Sequence, residues 1–311
     1  MMPSVSHLVG VGGRLLERHR KLSTACSGAV DTGFIALGYA KVAILGVVQG
    51  ITELLPISST AHMRIIPALL GWRDPGSAFS AAMQLAALAA VVSYFWSDVR
   101  GVVVGSVSAV ARRDFGDTSL RFSVGIVLAT IPIVIAGLLL APILNACKTP
   151  LRGIMVIGVA CLVMGGLLAL SEIMCRHRRT IKEMRLVDAI IVGIAQVGAL
   201  IPGVSRSGST LTAAMFLNFE REQAARLSFL LGLPAITLAG VKELWTLHLA
   251  GLDSYSWSML AVGLAVASIS SFFAIWSLQR ILERFSAWPF VIYRLLIGVV
   301  LIVGSTLHFL N

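Results

Sequence analysis

The chain has 311 residues, 57% of them hydrophobic and only 13% charged, with a mean hydropathy of +0.89. That balance excludes a soluble globular domain and defines a polytopic membrane protein. Lysine and arginine outnumber the acids 25 to 15, an excess that in a membrane protein marks cytoplasmic loops and not a nucleic-acid surface.

Residues 1–40 read as an N-terminal extension, disordered or lying on a surface. Its basic run (Arg14, Arg18, Arg20, Lys21) is followed by no clean apolar region of the kind a cleaved signal peptide needs. A single membrane domain fills 41–311. It opens with two short apolar stretches, 42–55 and 60–71, separated by Pro56 and the Ser58-Ser59-Thr60 cluster. Spans follow at about 78–97, 121–144 and 152–173. Residues 187–201 and 207–219 then repeat the short pair around Pro202-Gly203. Further spans follow at about 224–247, 257–278 and 289–309. Each span is near the ~20 residues a membrane helix needs. A dozen helical residues rise only ~18 Å, too little for ~30 Å of hydrocarbon. Each short pair therefore reads as a re-entrant hairpin, whose irregular backbone must be buried in protein or line a wet cavity.

Each hairpin is followed by three spans, which reverse the side of the membrane. The second hairpin must enter from the opposite face, so the two tips meet near the midplane. The expected fold is all-α: six transmembrane helices plus two re-entrant helical hairpins in an inverted-topology repeat, about 41–173 and 187–309. Arg100, Arg112, Arg113, Arg121, Arg176, Arg178, Arg179, Lys182, Arg185, Arg221, Arg226, Arg280 and Arg284 gather on one face. The other carries Arg73, Lys148 and Arg152. The positive-inside rule puts the first group in the cytoplasm, although the basic run at 14–21 then falls outside. The cysteines (Cys26, Cys147, Cys161, Cys175) form no CxxC or Cys/His ligand pattern and imply neither disulfide nor metal framework.

Two motifs carry the chemistry. The first is Gly46-Val-Val-Gln-Gly-Ile-Thr-Glu-Leu-Leu-Pro-Ile-Ser-Ser-Thr-Ala-His62. The second is Gly193-Ile-Ala-Gln-Val-Gly-Ala-Leu-Ile-Pro-Gly-Val-Ser-Arg-Ser-Gly-Ser-Thr210. Ionisable groups at membrane depth are costly, so Glu53 and Arg206 read as functional. Ser58, Ser59 and Thr60 precede one half-helix. Ser205, Ser207, Ser209 and Thr210 stand in the same relation to the other. Free amides and the helix dipole at such N-termini favour phosphate. Arg206 adds a planar fork for phosphate oxygens, and Gly203 and Gly208 allow close backbone approach. Gln49 and Glu53 share a helix face. A carboxylate beside phosphate holds a hard divalent cation or activates water. His62, about one turn past Ser59, is placed to act as its base.

Plainer roles exist for each. Membrane serines and threonines bond backbone carbonyls or let helices pack. Arg206 could be only an ion-pair partner of Glu53, His62 a satisfied structural histidine, and Gln49 and Gln196 partners of unwound backbone. Gln84 reads as an interhelical packing residue. Lys242, Glu243 and Arg294, near span ends, read as snorkelling.

The stretch 46–62 and Pro202-Gly-Val-Ser-Arg-Ser-Gly-Ser-Thr210 resemble the two signature motifs of bacterial undecaprenyl-diphosphatase, the UppP/BacA family. The resemblance runs from about residue 40 to the C-terminus. It implies hydrolysis of undecaprenyl diphosphate to the monophosphate and phosphate, which recycles the cell-wall lipid carrier and confers bacitracin resistance. It implies a divalent cation (Mg²⁺ or Ca²⁺) and an active site facing the periplasm from the inner membrane. By motif position Glu53, Ser59, His62 and Arg206 match the residues the family needs most. Ser58, Thr60, Ser205, Ser207 and Thr210 match its polar shell. Gln49 stands where the family has its first acidic position, and an amide brings an oxygen but no charge. The implied partners are a polyprenyl diphosphate lipid and the bilayer, with no nucleic acid and with homo-oligomerisation left open. Attack by Ser59 and attack by activated water both remain open. An inverted-repeat transporter that moves a phosphate-bearing solute without cleavage is the alternative class.

Overall fold

The computed structural model describes residues 32–144, 151 and 153–307. The basic run at 14–21, Cys26, Cys147, Lys148 and Arg152 lie outside them, as does most of the expected N-terminal extension. Among the described residues the chain is a succession of helices. The first hairpin is α1 (Gly38–Leu54) and α2 (Ser59–Leu69). An interrupted span follows as α3 (Ser77–Ala82) and α4 (Gln84–Tyr94), and then α5 (Trp96–Arg112), α6 (Thr118–Leu144) and α7 (Ile154–Met174). The second hairpin is α8 (Leu186–Val197) and α9 (Arg206–Phe216). Then come α10 (Arg221–Leu249), α11 (Ser254–Arg284) and α12 (Trp288–Thr306).

Six units are long and apolar enough to cross a membrane: Gly33–Leu54 and the helices α6, α7, α10, α11 and α12. This is the polytopic all-α membrane fold expected from the sequence. The six are not the same set, however: the expected span at 78–97 is not among them, and the leading arm of the first hairpin, with the turn before it, is itself long enough to span. Three further details differ. The boundary at residue 40 falls inside a helical unit, because a 3₁₀ turn at Gly33–Leu37 leads into α1. Phe34 is fully buried there and stacks on Phe79 at 5.0 Å, which gives this turn a place in the core. The span placed at 78–97 ends at Tyr94, where the chain bends by 80°. Residues 98–121, expected as a loop, hold most of helix α5.

Prolines end both leading arms. Leu55 before Pro56 and Ile201 before Pro202 are extended (ψ 144° and 120°), as the clash with the proline ring requires. The return arms α2 and α9 pack back on α1 and α8.

The packing obeys the exchange that an inverted repeat demands. Helix α1 lies along α11 of the second repeat, and its counterpart α8 lies along α6 of the first. Helix α4 packs on α11 as α10 packs on α6, while α7 and α12 pair with each other. Glycines at matched motif positions permit the closest of these contacts. A Cβ on Gly46 would lie 2.8 Å from the Gly263 carbonyl, and one on Gly193 would lie 2.5 Å from the Ala129 carbonyl. Without a hydrophobic drive between helices in lipid, backbone approach of this kind is what van der Waals packing needs.

Candidate active site

The site is built on two backbone turns that repeat each other. The same interval separates Gly46 from Gly193, Gln49 from Gln196 and Ser58 from Ser205. Ser58 (φ 73°) and Ser205 (φ 69°) both adopt left-handed backbone immediately before a half-helix. A non-glycine residue held there costs on the order of 1–3 kcal/mol and persists only where surroundings over-determine it. Here the surroundings are Arg294 from α12. Its guanidinium donates to the carbonyls of Pro56 (3.0 Å), Gly203 (2.9 Å) and Val204 (2.9 Å), so one side chain ties both turns. Arg294 is 1% exposed and forms no salt bridge among the described residues. The snorkelling role inferred from its position near a span end is therefore wrong: unwound carbonyls at the two tips hold the cation inside.

The tips bring opposite charges together. Arg206, the first residue of α9, reaches Glu53 Oε1 at 3.4 Å. Ser59, the first residue of α2, donates to Glu53 Oε2 at 2.6 Å, and Gln49 Nε2 donates to the same oxygen at 3.0 Å. Glu53 and Gln49 are buried, and Gln49 Oε1 has no partner. Gly232 on α10 makes room for Arg206: a Cβ there would lie 1.9 Å from a guanidinium nitrogen. Ser207 clamps the interface by donating to the carbonyls of Glu53 and Leu55, both at 3.1 Å.

Ser59, Thr60 and Gln49 line a cavity of about 250 Å³, together with Arg64, Asp74 and Gln84. No side chain caps α2, and the buried Ser58 hydroxyl has no partner. The N-terminus of α2 therefore combines free amides, a free hydroxyl and a helix dipole beside the cavity, the combination that receives an anion.

The other predicted residues fall differently. His62 Nδ1 pairs with the Ser58 carbonyl at 2.7 Å and Nε2 with the Tyr293 hydroxyl at 2.5 Å. Since a carbonyl only accepts, Nδ1 carries the proton and Nε2 accepts from Tyr293. Neither nitrogen contacts Ser59, whose partner is Glu53. In the second hairpin the Ser205 hydroxyl caps α9 through the Gly208 amide at 3.2 Å. Ser209 and Thr210 donate to the Arg206 carbonyl, and Thr210 also meets Ser228. Gly203 (φ 97°) lies against α7, where a Cβ would sit 2.7 Å from the Ile157 carbonyl. Sequence reasoning places these four, with Ser207, among substrate-binding residues; in the structure each also has a partner within the protein. It missed Tyr293, Gly232, Arg64 and Asp74. Its own rule about ionisable groups at membrane depth would have flagged Arg64 and Arg294.

Fold and site define a polytopic membrane protein with a charged and hydroxyl-bearing centre where two helical hairpins meet. Residues 42–300 match the family described as bacitracin resistance protein BacA, and the chain belongs to that family. It is 70% identical over 262 residues to a Mesorhizobium japonicum protein named undecaprenyl-diphosphatase 2, covering 84% of this chain and 99% of that one. It is 48% identical over 260 residues to the undecaprenyl-diphosphatase of Synechococcus elongatus, covering 83% and 90%. The Gloeobacter violaceus undecaprenyl-diphosphatase matches at 48% over 266 residues, covering 86% and 91%.

Proposed function

We propose that the chain hydrolyses undecaprenyl diphosphate to undecaprenyl phosphate and phosphate, and so returns the lipid carrier of cell-wall synthesis and confers bacitracin resistance. The observation that carries this reading is the convergence of Ser59, Glu53 and Arg206 from opposed hairpins beside a polar cavity. The diphosphate's terminal phosphoryl group is received at the N-terminus of α2. There the Ser58 hydroxyl, the helix amides and Arg206 hold its oxygens and stabilise the charge that builds on them. Ser59 attacks the phosphorus; its Oγ–P bond forms as the bond to the bridging oxygen breaks and undecaprenyl phosphate leaves. Water then cleaves the phosphoserine and releases phosphate. The 2.6 Å hydrogen bond makes Glu53 the first acceptor of the Ser59 proton. His62, held as the Nδ1–H tautomer between the Ser58 carbonyl and the Tyr293 hydroxyl, fixes the shape of the turn that presents Ser59.

A divalent cation fits this site. Gln49 Oε1 is a buried oxygen without a partner, next to the Glu53 carboxylate. Glu53 and Gln49 would hold Mg²⁺ or Ca²⁺. No group of three or more His, Cys, Asp or Glu side chains is placed to hold a metal among the described residues, so the substrate's own oxygens and water would have to supply the remaining ligands. When bound, the cation neutralises diphosphate charge and so favours departure of the leaving group.

The arginine-rich ends of the spans support a bacterial inner-membrane orientation with those ends in the cytoplasm. The cavity then faces the periplasm. The test is phosphate release from undecaprenyl diphosphate by purified full-length protein, with lipid product identified by mass and chelator in a parallel arm. Release of both products, lost with chelator and restored by Mg²⁺ or Ca²⁺, is expected. Transfer of intact substrate across proteoliposomes without cleavage would mean a transporter.

A further inference from the structure

The end of the fold opposite the catalytic cavity holds a second, larger recess. The span Ala78–Tyr94 separates the two. Gly76 and Ser80 line the catalytic cavity at one end, and Ser97 and Asp98 line the recess just past the other. At ~1.5 Å per residue they are roughly 25 Å apart. The recess measures about 480 Å³ and lies between α5, the start of α6, residues 181–184 and α10.

Its charges are not balanced. Its lining has three cations, Arg121, Lys182 and Arg226, and one carboxylate, Asp98. Asp98 is taken by Arg226, and nearby Glu172 is paired with Arg221 at 2.5 Å and Asp188 with Arg179 at 2.5 Å. Asp117 accepts the Ser119 amide at the start of α6, and Glu183 accepts the Thr180 amide. Hydrogen bonds from the Thr180 amide and hydroxyl hold the Glu183 carboxyl below its usual range. Arg121 and Lys182 line the recess, are exposed, and form no salt bridge among the described residues. Beside them the wall is apolar: Val102, Phe122 and Leu230.

Helix α5 gives a second, independent observation. It leaves Ala78–Tyr94 at 80°. Val103, Val104, Val107 and Val110 remain more than half exposed; three of them recur at i, i+4 and i+7 on one stripe. Ser106 fastens another face of the helix to α6, bonding the Ser119 carbonyl at 3.0 Å and the Ser123 hydroxyl at 2.7 Å. An exposed apolar stripe on a helix of this kind suits the headgroup–acyl boundary, and Val102 of the same helix lines the recess.

We propose that this recess binds the phosphate headgroup of an anionic phospholipid. Arg121 and Lys182 hold the phosphate oxygens, Arg121 with two parallel N–H donors. The acyl chains leave along Val102, Phe122 and Leu230 into the bilayer. Basic pockets between membrane helices are suited to such headgroups.

The test uses purified full-length protein in zwitterionic detergent, titrated with phosphatidylglycerol or phosphatidylcholine. Thermal unfolding and lipid retained in native mass spectrometry are read together. Phosphatidylglycerol should raise the melting temperature and stay bound, and phosphatidylcholine should do neither. Arg121→Gln with Lys182→Gln should weaken phosphatidylglycerol binding about thirtyfold, roughly fivefold for each cation lost, with hydrolysis in zwitterionic micelles unchanged. Arg280→Gln with Arg284→Gln, exposed arginines outside the recess, should bind as the wild type does. Equal effects of the two lipids, or equal weakening by the two double variants, would overturn the proposal. So would stabilisation by glycerol phosphate as large as that by phosphatidylglycerol, which would make this a site for a soluble phosphate.

Discussion

The two re-entrant hairpins share a backbone and divide the chemistry. Each runs Gly-x-x-Gln, then an extended residue before a proline, then a serine in left-handed backbone opening a half-helix. Past that serine they diverge. The first residue of α2 is Ser59 and that of α9 is Arg206; six residues earlier, Leu200 stands at the position matching Glu53. In the second hairpin Ser205 caps its own helix, and Ser207, Ser209 and Thr210 bond carbonyls. In the first, Ser58 caps nothing and Ser59 lines the cavity. Duplication supplied two matched turns. Divergence left one of them closed on itself, with its cation projecting, and the other open to an anion.

If this division holds, the largest loss comes from the cation. Arg206→Ala should lower turnover at least about a thousandfold, the scale of arginines that meet transferring phosphoryl groups. Arg206→Lys should recover little, because lysine keeps the charge without the fork. Wild-type rates in either folded variant would make Arg206 only an ion-pair partner of Glu53.

Ser59→Ala comes next and separates a nucleophile from a phosphate ligand. With serine attack, rapid quenching of the wild type traps phosphate on Ser59, and the variant shows neither trapping nor turnover. If the variant still turns over at about a tenth of the wild-type rate, Glu53 activates water and Ser59 is a ligand.

The third break targets what joins the hairpins. Arg294→Met removes the donor shared by three carbonyls, each costing about 1–3 kcal/mol when buried unpaired. A marked fall in melting temperature is expected, with Arg294→Lys recovering part of it. Unchanged stability would mean the turns hold themselves. Gly232→Ala is gentler: its methyl occupies the space of the Arg206 guanidinium. Displacement by about 1 Å lowers turnover up to about a hundredfold, while unfolding changes far less. A fall in stability without a fall in rate would show that α10 and not Arg206 gives way.

The fold was legible because lipid allows few choices: proline and the repeat of a motif were enough to locate both hairpins, although the leading arm of the first is longer than its apolar stretch suggested. The site was legible where charge or hydroxyl density is unusual for a membrane, at Glu53, Ser59 and Arg206. What escaped was set by three-dimensional packing. Arg294 is indistinguishable in sequence from a snorkelling arginine near a span end, and Tyr293 and Gly232 look like ordinary span residues. Helix α5 was read as a loop because Ser97, Asp98, Arg100 and Arg112 raise its polarity; an amphipathic helix lying on a surface has the same composition as a connecting segment. The hydroxyls of the second hairpin are the converse case, since a cluster of serines looks alike in sequence whether it faces a ligand or a carbonyl.

The smallest effect is expected at Gln49, and it sharpens the difference between the hairpins. Gln49 and Gln196 are matched and both buried, yet only Gln49 touches a carboxylate, donating to Glu53 at 3.0 Å and leaving its own oxygen free. Gln49→Glu would put two carboxylates side by side. Without a cation this is repulsive and should cost stability, since one of them must take up a proton in a buried site. With a divalent cation the added charge strengthens a hard-oxygen site. The expected outcome is turnover within about threefold of wild type at saturating Mg²⁺ or Ca²⁺, half-maximal activity at lower cation concentration, and a melting temperature that falls in chelator and recovers with cation. Gln196→Glu, in the hairpin that closes on itself, should lose stability with or without cation. If Gln49→Glu behaves the same way, the cation does not sit between Gln49 and Glu53, and the free amide oxygen serves the unwound turn instead.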